Sequence, residues 1–220
     1  LLTVIEQLQG VPLVASALEQ DILPVRVSDY RPGMLDELMA AGEVVWRGLE
    51  GLGTHDGRIA LYLTDHAARL APERETEEDG ELEIKLQEVL QRRGASFFSD
   101  LVAETGAFGQ DLATALWRLV FRGRVSNDTL TPLRSLLRQK KGQRGGSKGR
   151  GFRSRRQGPP GTEGRWALVH AGAALSDTER RTSLTHQLLE RYGVLTREAV
   201  HAEGIRGGFS TVYPILKAME

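Results

Sequence analysis

The chain has 220 residues, 40% of them hydrophobic, enough to bury the core of one large domain or of several small ones. It contains no cysteine, which excludes disulfides, thiolate zinc sites and cysteine nucleophiles, and no apolar run reaches the roughly 18 residues a membrane span needs, so a cytoplasmic protein is expected. Basic and acidic residues balance at 29 each, yet nine basic residues and no acid lie between Arg138 and Arg156, leaving 20 basic against 29 acidic elsewhere, a net of −9.

From the start, Val4, Ile5 and Leu8 mark a short helix closed near Gly10, and Leu13 with Leu18 suggests a second. Pro32-Gly33 opens a third through Met34, Leu35, Leu38 and Met39, with Gly42 as its C-terminal cap. Val44-Val45-Trp46 and Ile59 to Leu63 read as strands. The Thr54-His55-Asp56-Gly57 turn joins them, Asp-Gly being a strong hairpin signal. Three helices followed by a hairpin form a winged-helix unit, expected over residues 1–72.

An acidic linker, 73–81, follows, in a run that includes Glu73, Glu75, Glu77, Glu78 and Asp79. Leu82, Leu86, Val89 and Leu90 then share a helical face. Ser99-Asp100 can cap a short helix, Gln110 to Arg122 is a longer one, and Val125 begins a strand. Leu119, Val120, Gly123 and Val125 repeat Leu38, Met39, Gly42 and Val44 of the first unit. The returning strand is Arg165 to His170. The second unit is therefore expected over 82–172, with a basic insertion at about 138–164 whose Gly, Lys, Arg, Ser and Pro content predicts disorder.

The third unit, 176–220, starts at Ser176-Asp177-Thr178-Glu179, a capping signature. Its His186-Gln-Leu-Leu-Glu-Arg-Tyr-Gly193 matches Leu86-Gln-Glu-Val-Leu-Gln-Arg-Arg-Gly94, and it is expected to be truncated before its wing. The fold class is thus α+β, helix-rich, built from tandem winged helices.

Four stretches also resemble the C-terminal extension of bacterial large helicase-related (Lhr) proteins. They are Leu8-Gln-Gly-Val-Pro-Leu13; Tyr30-Arg-Pro-Gly-Met-Leu-Asp-Glu-Leu38 with Gly42-Glu-Val-Val-Trp46; Asp56-Gly-Arg-Ile-Ala-Leu-Tyr-Leu63; and Arg165-Trp-Ala-Leu-Val169 running on to Arg180-Arg-Thr182 and Tyr192-Gly-Val-Leu-Thr196. The resemblance implies a parent that is an ATP-driven, 3′-to-5′ DNA helicase of repair, with ATP and Mg bound in a motor outside these residues. It also implies a distal barrel, which in some members resembles a DNA glycosylase. No phosphate-cradling Gly-x-x-x-x-Gly-Lys-Ser/Thr loop occurs here, so no cofactor is expected in this segment.

The five histidines (His55, His66, His170, His186, His201) show no metal-ligand spacing, and no carboxylate is singled out as catalytic. DNA, single-stranded or branched, is the expected partner, besides the remaining domains of the parent. The third helix of a winged helix can enter a groove. In unit two it offers Arg118, Arg122 and Arg124; in unit three, Arg206, Ser210, Thr211, Tyr213 and Lys217. The third helix of unit one presents Asp36 and Glu37, which repel phosphate and suggest packing against a neighbour. Lys140, Lys141, Arg144, Lys148, Arg150, Arg153, Arg155 and Arg156 form, with Arg138, an electrostatic tether for nucleic acid. The alternatives are a scaffold between motor and barrel, a self-assembling element, or a sequence-specific regulator.

Overall fold

The computed structural model describes residues 1–72, 78–142, 158–169 and 175–219, without the side chains of 139–142. Unit one begins with α1 (Leu2–Leu8), whose Ile5 and Leu8 point into the core. Leu13, expected in a helix, instead opens a two-residue strand, β1 (Leu13–Val14). A helical stretch follows as α2 (Ala15–Ala17), a π-helical turn (Leu18–Ile22) and α3 (Leu23–Arg26). Pro24 has no N–H to donate back along this stretch, and the wider turn just before it absorbs that gap. The third helix is α4 (Pro32–Ala40), with proline at its first position, where the missing N–H costs nothing.

The hairpin β2 (Val44–Gly51) and β3 (Gly57–Leu63) pairs antiparallel, and β1 adds to β3, giving the order β1-β3-β2. Asp56 holds the turn, its Oδ1 accepting from the backbone N–H of Gly57 at 2.9 Å and of Ser16 at 3.3 Å. A further helix, α5 (Thr64–Leu70), covers one face of the sheet, where Ala60, Tyr62, Ala67 and Ala71 form a small cluster.

The Tyr62 hydroxyl lies in that cluster without a hydrogen-bond partner, and burial pushes its pKa up to about 12. An unmade hydrogen bond on a buried hydroxyl costs about 1 kcal/mol or more. Tyr62→Phe is therefore expected to stabilise the protein by about 1 kcal/mol at neutral pH. The unfolded tyrosine loses its proton near pH 10 while the folded one keeps it to about 12, so this group withdraws stability as pH rises across that window. Thermal melts at pH 7 and pH 11 check both effects: a variant that melts lower at pH 7 would refute the first, and an advantage over the parent no larger at pH 11 than at pH 7 would refute the second.

Unit two comprises α6 (Glu81–Arg93), β4 (Ser96–Phe97), α7 (Phe98–Thr105), α8 (Gly109–Phe121), β5 (Val125–Asn127), α9 (Thr131–Gly142) and β6 (Arg165–Leu168). Its sheet order, β4-β6-β5, repeats that of unit one. The residue preceding α7 is Phe97, which supplies no side-chain cap; the expected cap pair Ser99-Asp100 falls inside the first turn.

The insertion between β5 and β6 is ordered at both margins, where disorder was expected. Thr131-Pro132 opens α9, and Leu133 and Leu136 bury its inner face. Gly158 to Gly164 returns against the core, with the indole N–H of Trp117 donating to Gly161 O at 2.8 Å and that of Trp166 to Thr162 O at 3.3 Å. Residues 143–157 of the insertion lie outside the described residues.

Units one and two share one apolar core. Ile5, Leu18, Leu35, Trp46 and Leu61 from the first join Leu86, Leu101, Leu116, Leu119 and Trp166 from the second. The Trp46 indole donates to Thr129 O at 3.1 Å, and the Ser126 hydroxyl donates to Trp46 O at 2.6 Å. Every tryptophan of the chain is thus buried in this block with its N–H satisfied.

Unit three is built from α10 (Asp177–Tyr192), α11 (Arg197–Ala202) and α12 (Phe209–Met219), and no strand occurs among its described residues. The expected capping box is present: Ser176 Oγ accepts from Glu179 N, and Glu179 Oε2 accepts from Ser176 N at 2.8 Å. Its apolar cluster of Leu188, Val200 and Val212, flanked by Leu184, Leu195, Ile205, Phe209 and Leu216, draws on no residue of the other units. Among the described residues no helix is long and apolar enough to cross a membrane.

Candidate nucleic-acid interface

A winged helix reads nucleic acid with its third helix only if that helix is accessible. The three third helices here, α4, α8 and α12, differ sharply in this respect.

Helix α8 buries Leu112, Ala113, Ala115, Leu116, Trp117, Leu119 and Val120, most of its circumference. The hairpin of unit one lies across its C-terminal end. A Cβ on Gly48 would fall 2.2 Å from Val120 O, and one on Gly57 would fall 2.0 Å from the Phe121 ring, so backbone and ring occupy the space side chains would need. Arg122 forms ion pairs with Asp79 at 3.2 Å and Glu83 at 2.9 Å, and Arg124 pairs with Asp79 at 2.5 Å. Their side chains are 28% and 19% exposed. Arg118 is 65% exposed but lies 3.6 Å from Glu83. The end of the acidic linker thus folds back onto the arginines expected to meet DNA. Arg122 and Arg124 neutralise carboxylates within the fold, and cations there also suit the C-terminal end of the α8 dipole.

Helix α4 is engaged differently. Arg134 of α9 reaches across the boundary to pair with Asp36 at 2.9 Å and with Glu19 at 2.7 Å. The neighbour that Asp36 calls for is therefore unit two, while Glu37 is exposed.

Helix α12 stays open. Val212 is buried, with Phe209 and Leu216 half-buried beside it on the side that faces α10 and α11. One residue further on, Ser210, Tyr213 and Lys217 follow the same i, i+3, i+7 spacing and are all exposed, as is Arg206 in the preceding turn. The Tyr213 ring lies 5.9 Å from that of Phe209, and the Arg197 guanidinium sits over Phe209 at 5.9 Å. Thr211 belongs to this set by sequence, but its hydroxyl donates to Arg206 O at 2.7 Å and holds the turn instead. Pro214 has no N–H, so the Ser210 carbonyl receives no helical bond from it. The nearby Glu203 carboxylate is neutralised by Arg191 and accepts the Tyr192 hydroxyl at 2.5 Å, which pushes the Tyr192 pKa upward.

Of the basic tract, Arg138 is exposed on α9, and Lys140 and Lys141 lie on the last turn of the same helix. Arg144, Lys148, Arg150, Arg153, Arg155 and Arg156 lie outside the described residues. No group of three or more His, Asp or Glu able to hold a metal occurs among the described residues. The sealing of α8 carries one signal in the sequence: so few of its positions are polar that little surface remains for a groove.

Comparison with known proteins places this arrangement. Residues 1–64 match the third winged-helix domain of the large helicase-related protein, and residues 174–220 match the fourth. A Mycolicibacterium smegmatis protein described as Lhr helicase and probable uracil glycosylase is 41% identical over 239 aligned positions, covering 100% of this chain. The Escherichia coli Lhr helicase/uracil glycosylase is 38% identical, covering 99%. The chain spans 16% and 15% of the length of these two relatives. It belongs to the large helicase-related family, as part of its winged-helix region.

Proposed function

We propose that this region binds DNA through unit three and that units one and two form the rigid base presenting it. The observation that carries this reading is the exposed Arg206, Ser210, Tyr213, Lys217 face of α12, set against an α4 and an α8 that are occupied within the fold. Two cations flanking a hydroxyl and an aromatic ring suit a phosphate backbone with an unpaired or distorted base beside it. That chemistry fits single-stranded or branched DNA. The basic tract from Arg138 to Arg156 serves in this reading as a second, sequence-independent tether. We further propose, from the family resemblance of the sequence, that the whole protein is an ATP- and Mg-dependent DNA helicase acting in repair in the cytoplasm; no catalytic residue is assigned to this region.

A salt titration of DNA affinity tests the proposal. Each lost phosphate contact lowers the log–log slope by about 0.9 on duplex and about 0.7 on single strands. Arg206→Ala with Lys217→Ala is expected to lower the slope by about 1.5 and to weaken binding about tenfold near 0.1 M salt. Replacing the nine basic residues between Arg138 and Arg156 by glutamine is expected to lower the slope further while leaving the melting temperature unchanged, since the length of α9 is kept. Slopes identical to that of the parent in both variants would overturn the proposal and leave the scaffold role.

A further inference from the structure

The two junctions of this array are made from different materials. Units one and two meet through a continuous apolar core. Unit three has a separate apolar cluster and meets unit one where α10 packs against α1 and α5, a junction that contains buried polar side chains. We infer that Gln9, Gln187 and Arg191 form a releasable latch that sets the bearing of unit three on the rigid block.

The chain end of α1 makes the latch possible. A helix leaves its last carbonyls without intrahelical donors, and here those carbonyls face α10 rather than water. Gln187 Nε2 donates to Glu6 O at 2.8 Å, and Arg191 Nε donates to Gln7 O at 2.9 Å. A second Arg191 nitrogen donates to Gln9 O. Two side chains of unit three thus complete the C-terminus of a helix in unit one, where a cation also suits the dipole. Gln9, 1% exposed, closes the circuit from the other side. Its Oε1 accepts from Leu63 N at 2.9 Å, fixing it to β3, while its amide lies 3.2 Å from Gln187 Oε1 and 3.1 Å from His66 Nδ1.

Arg191 carries the coupling onward. Its guanidinium also pairs with Glu203 at 2.5 Å, with side chains 11% and 7% exposed. Glu203 is the residue that ends α11 and begins the turn into α12. One planar, five-donor group therefore ties the end of α1 to the approach to α12, a geometry that a lysine's single ammonium does not reproduce. Polar junctions between domains permit relative motion, because each bond lost inside is replaced by one to water, whereas an exposed apolar core has no such replacement. The latch consequently has two states, closed as described here and open with its groups hydrated.

The latch stands independently of DNA binding; its consequence for the direction in which α12 faces rests on the function proposed above. Spin labels at Val25→Cys on unit one and His201→Cys on unit three, in a chain with no other cysteine, read their separation by pulsed dipolar spectroscopy. Both sites are exposed. The parent is expected to give one narrow distance distribution. Gln9→Ala with Gln187→Ala is expected at least to double its width, and Gln187 makes all its side-chain hydrogen bonds to unit one, so unit three keeps its own fold. Arg191→Lys is expected to broaden it too, while Arg191→Met adds loss of the Glu203 pair. A distribution that stays as narrow as the parent's in the double variant overturns the latch, whatever the DNA result. Broadening combined with normal DNA binding by the α12 variants leaves the latch standing and removes the functional reading.

Discussion

Gly48→Ala is expected to destabilise units one and two together, by about 3 kcal/mol or more. The added methyl would sit 2.2 Å from Val120 O and 2.7 Å from Val120 C. Both are backbone atoms near the C-terminus of α8, and no rotamer change moves them. The hairpin would have to lift from α8, exposing the apolar core the two units share. Gly57→Ala meets the Phe121 ring at 2.0 Å instead, and a ring can turn, so its cost is expected to be smaller and to be partly recovered by Phe121→Ala. Trp46, Trp117 and Trp166 all lie in this block and unit three has no tryptophan, so indole fluorescence reports the block alone. Its unfolding is expected to remain a single transition moved to lower temperature. Separate melting of the two units would contradict a shared core.

The second large effect is expected at Arg134. This residue of α9 donates to Glu19 through two nitrogens, at 2.7 and 2.8 Å, and to Asp36 through a third at 2.9 Å. Its side chain is 16% exposed and that of Glu19 is 17%. Burial works against the guanidinium charge, but hydrogen bonds to Glu19 and Asp36 outweigh it and hold the proton more firmly than usual. Tyr30 completes the group, its hydroxyl donating to Glu19 at 2.7 Å, and burial together with that carboxylate keeps it protonated far above the ordinary range. Removing one partner of a nearly buried pair strands the other, so Arg134→Ala is expected to cost about 3 kcal/mol. Arg134→Lys should recover little, because an ammonium cannot make the paired bonds to Glu19. Replacing Arg134 and Glu19 together by methionine should cost much less than Arg134→Ala. Urea midpoints for the four proteins decide this; a loss below about 1 kcal/mol for Arg134→Ala would mark the cluster as surface decoration.

Much of this fold is legible in the residues because local signals act at short range. Asp56-Gly57 marks the hairpin, Ser176 with Glu179 marks the start of α10, and the repeat of Leu38-Met39 in Leu119-Val120 places the third helix of unit two. Strands β1 and β4 leave no trace, since two residues carry no period and each strand exists only through its partner, β3 or β6. Helix α9 was hidden by the Gly- and Arg-rich composition that follows it, although Thr131-Pro132 and the Leu133, Leu136 spacing announce it. The candidate site was legible residue by residue but not in its accessibility. Arg122 and Lys217 read alike as cations on a third helix, and only the packing shows that Asp79 and Glu83 hold the first while the second faces outward. Long-range burial of that kind has no local signature.

Strands β5 and β6 pair in register, Asn127 opposite Trp166, although residues 128–164 separate them along the chain. Helix α9 is anchored to the core by Leu133 and Leu136, and the return from Gly158 by its backbone, the Gly161 and Thr162 carbonyls accepting from the Trp117 and Trp166 indoles. Closing a flexible loop between fixed ends costs only about 0.6 kcal/mol more each time its length doubles. Both ends of this connection are therefore held by the fold itself, and residues can be added or removed between Gly142 and Gly158 at little expense to the sheet.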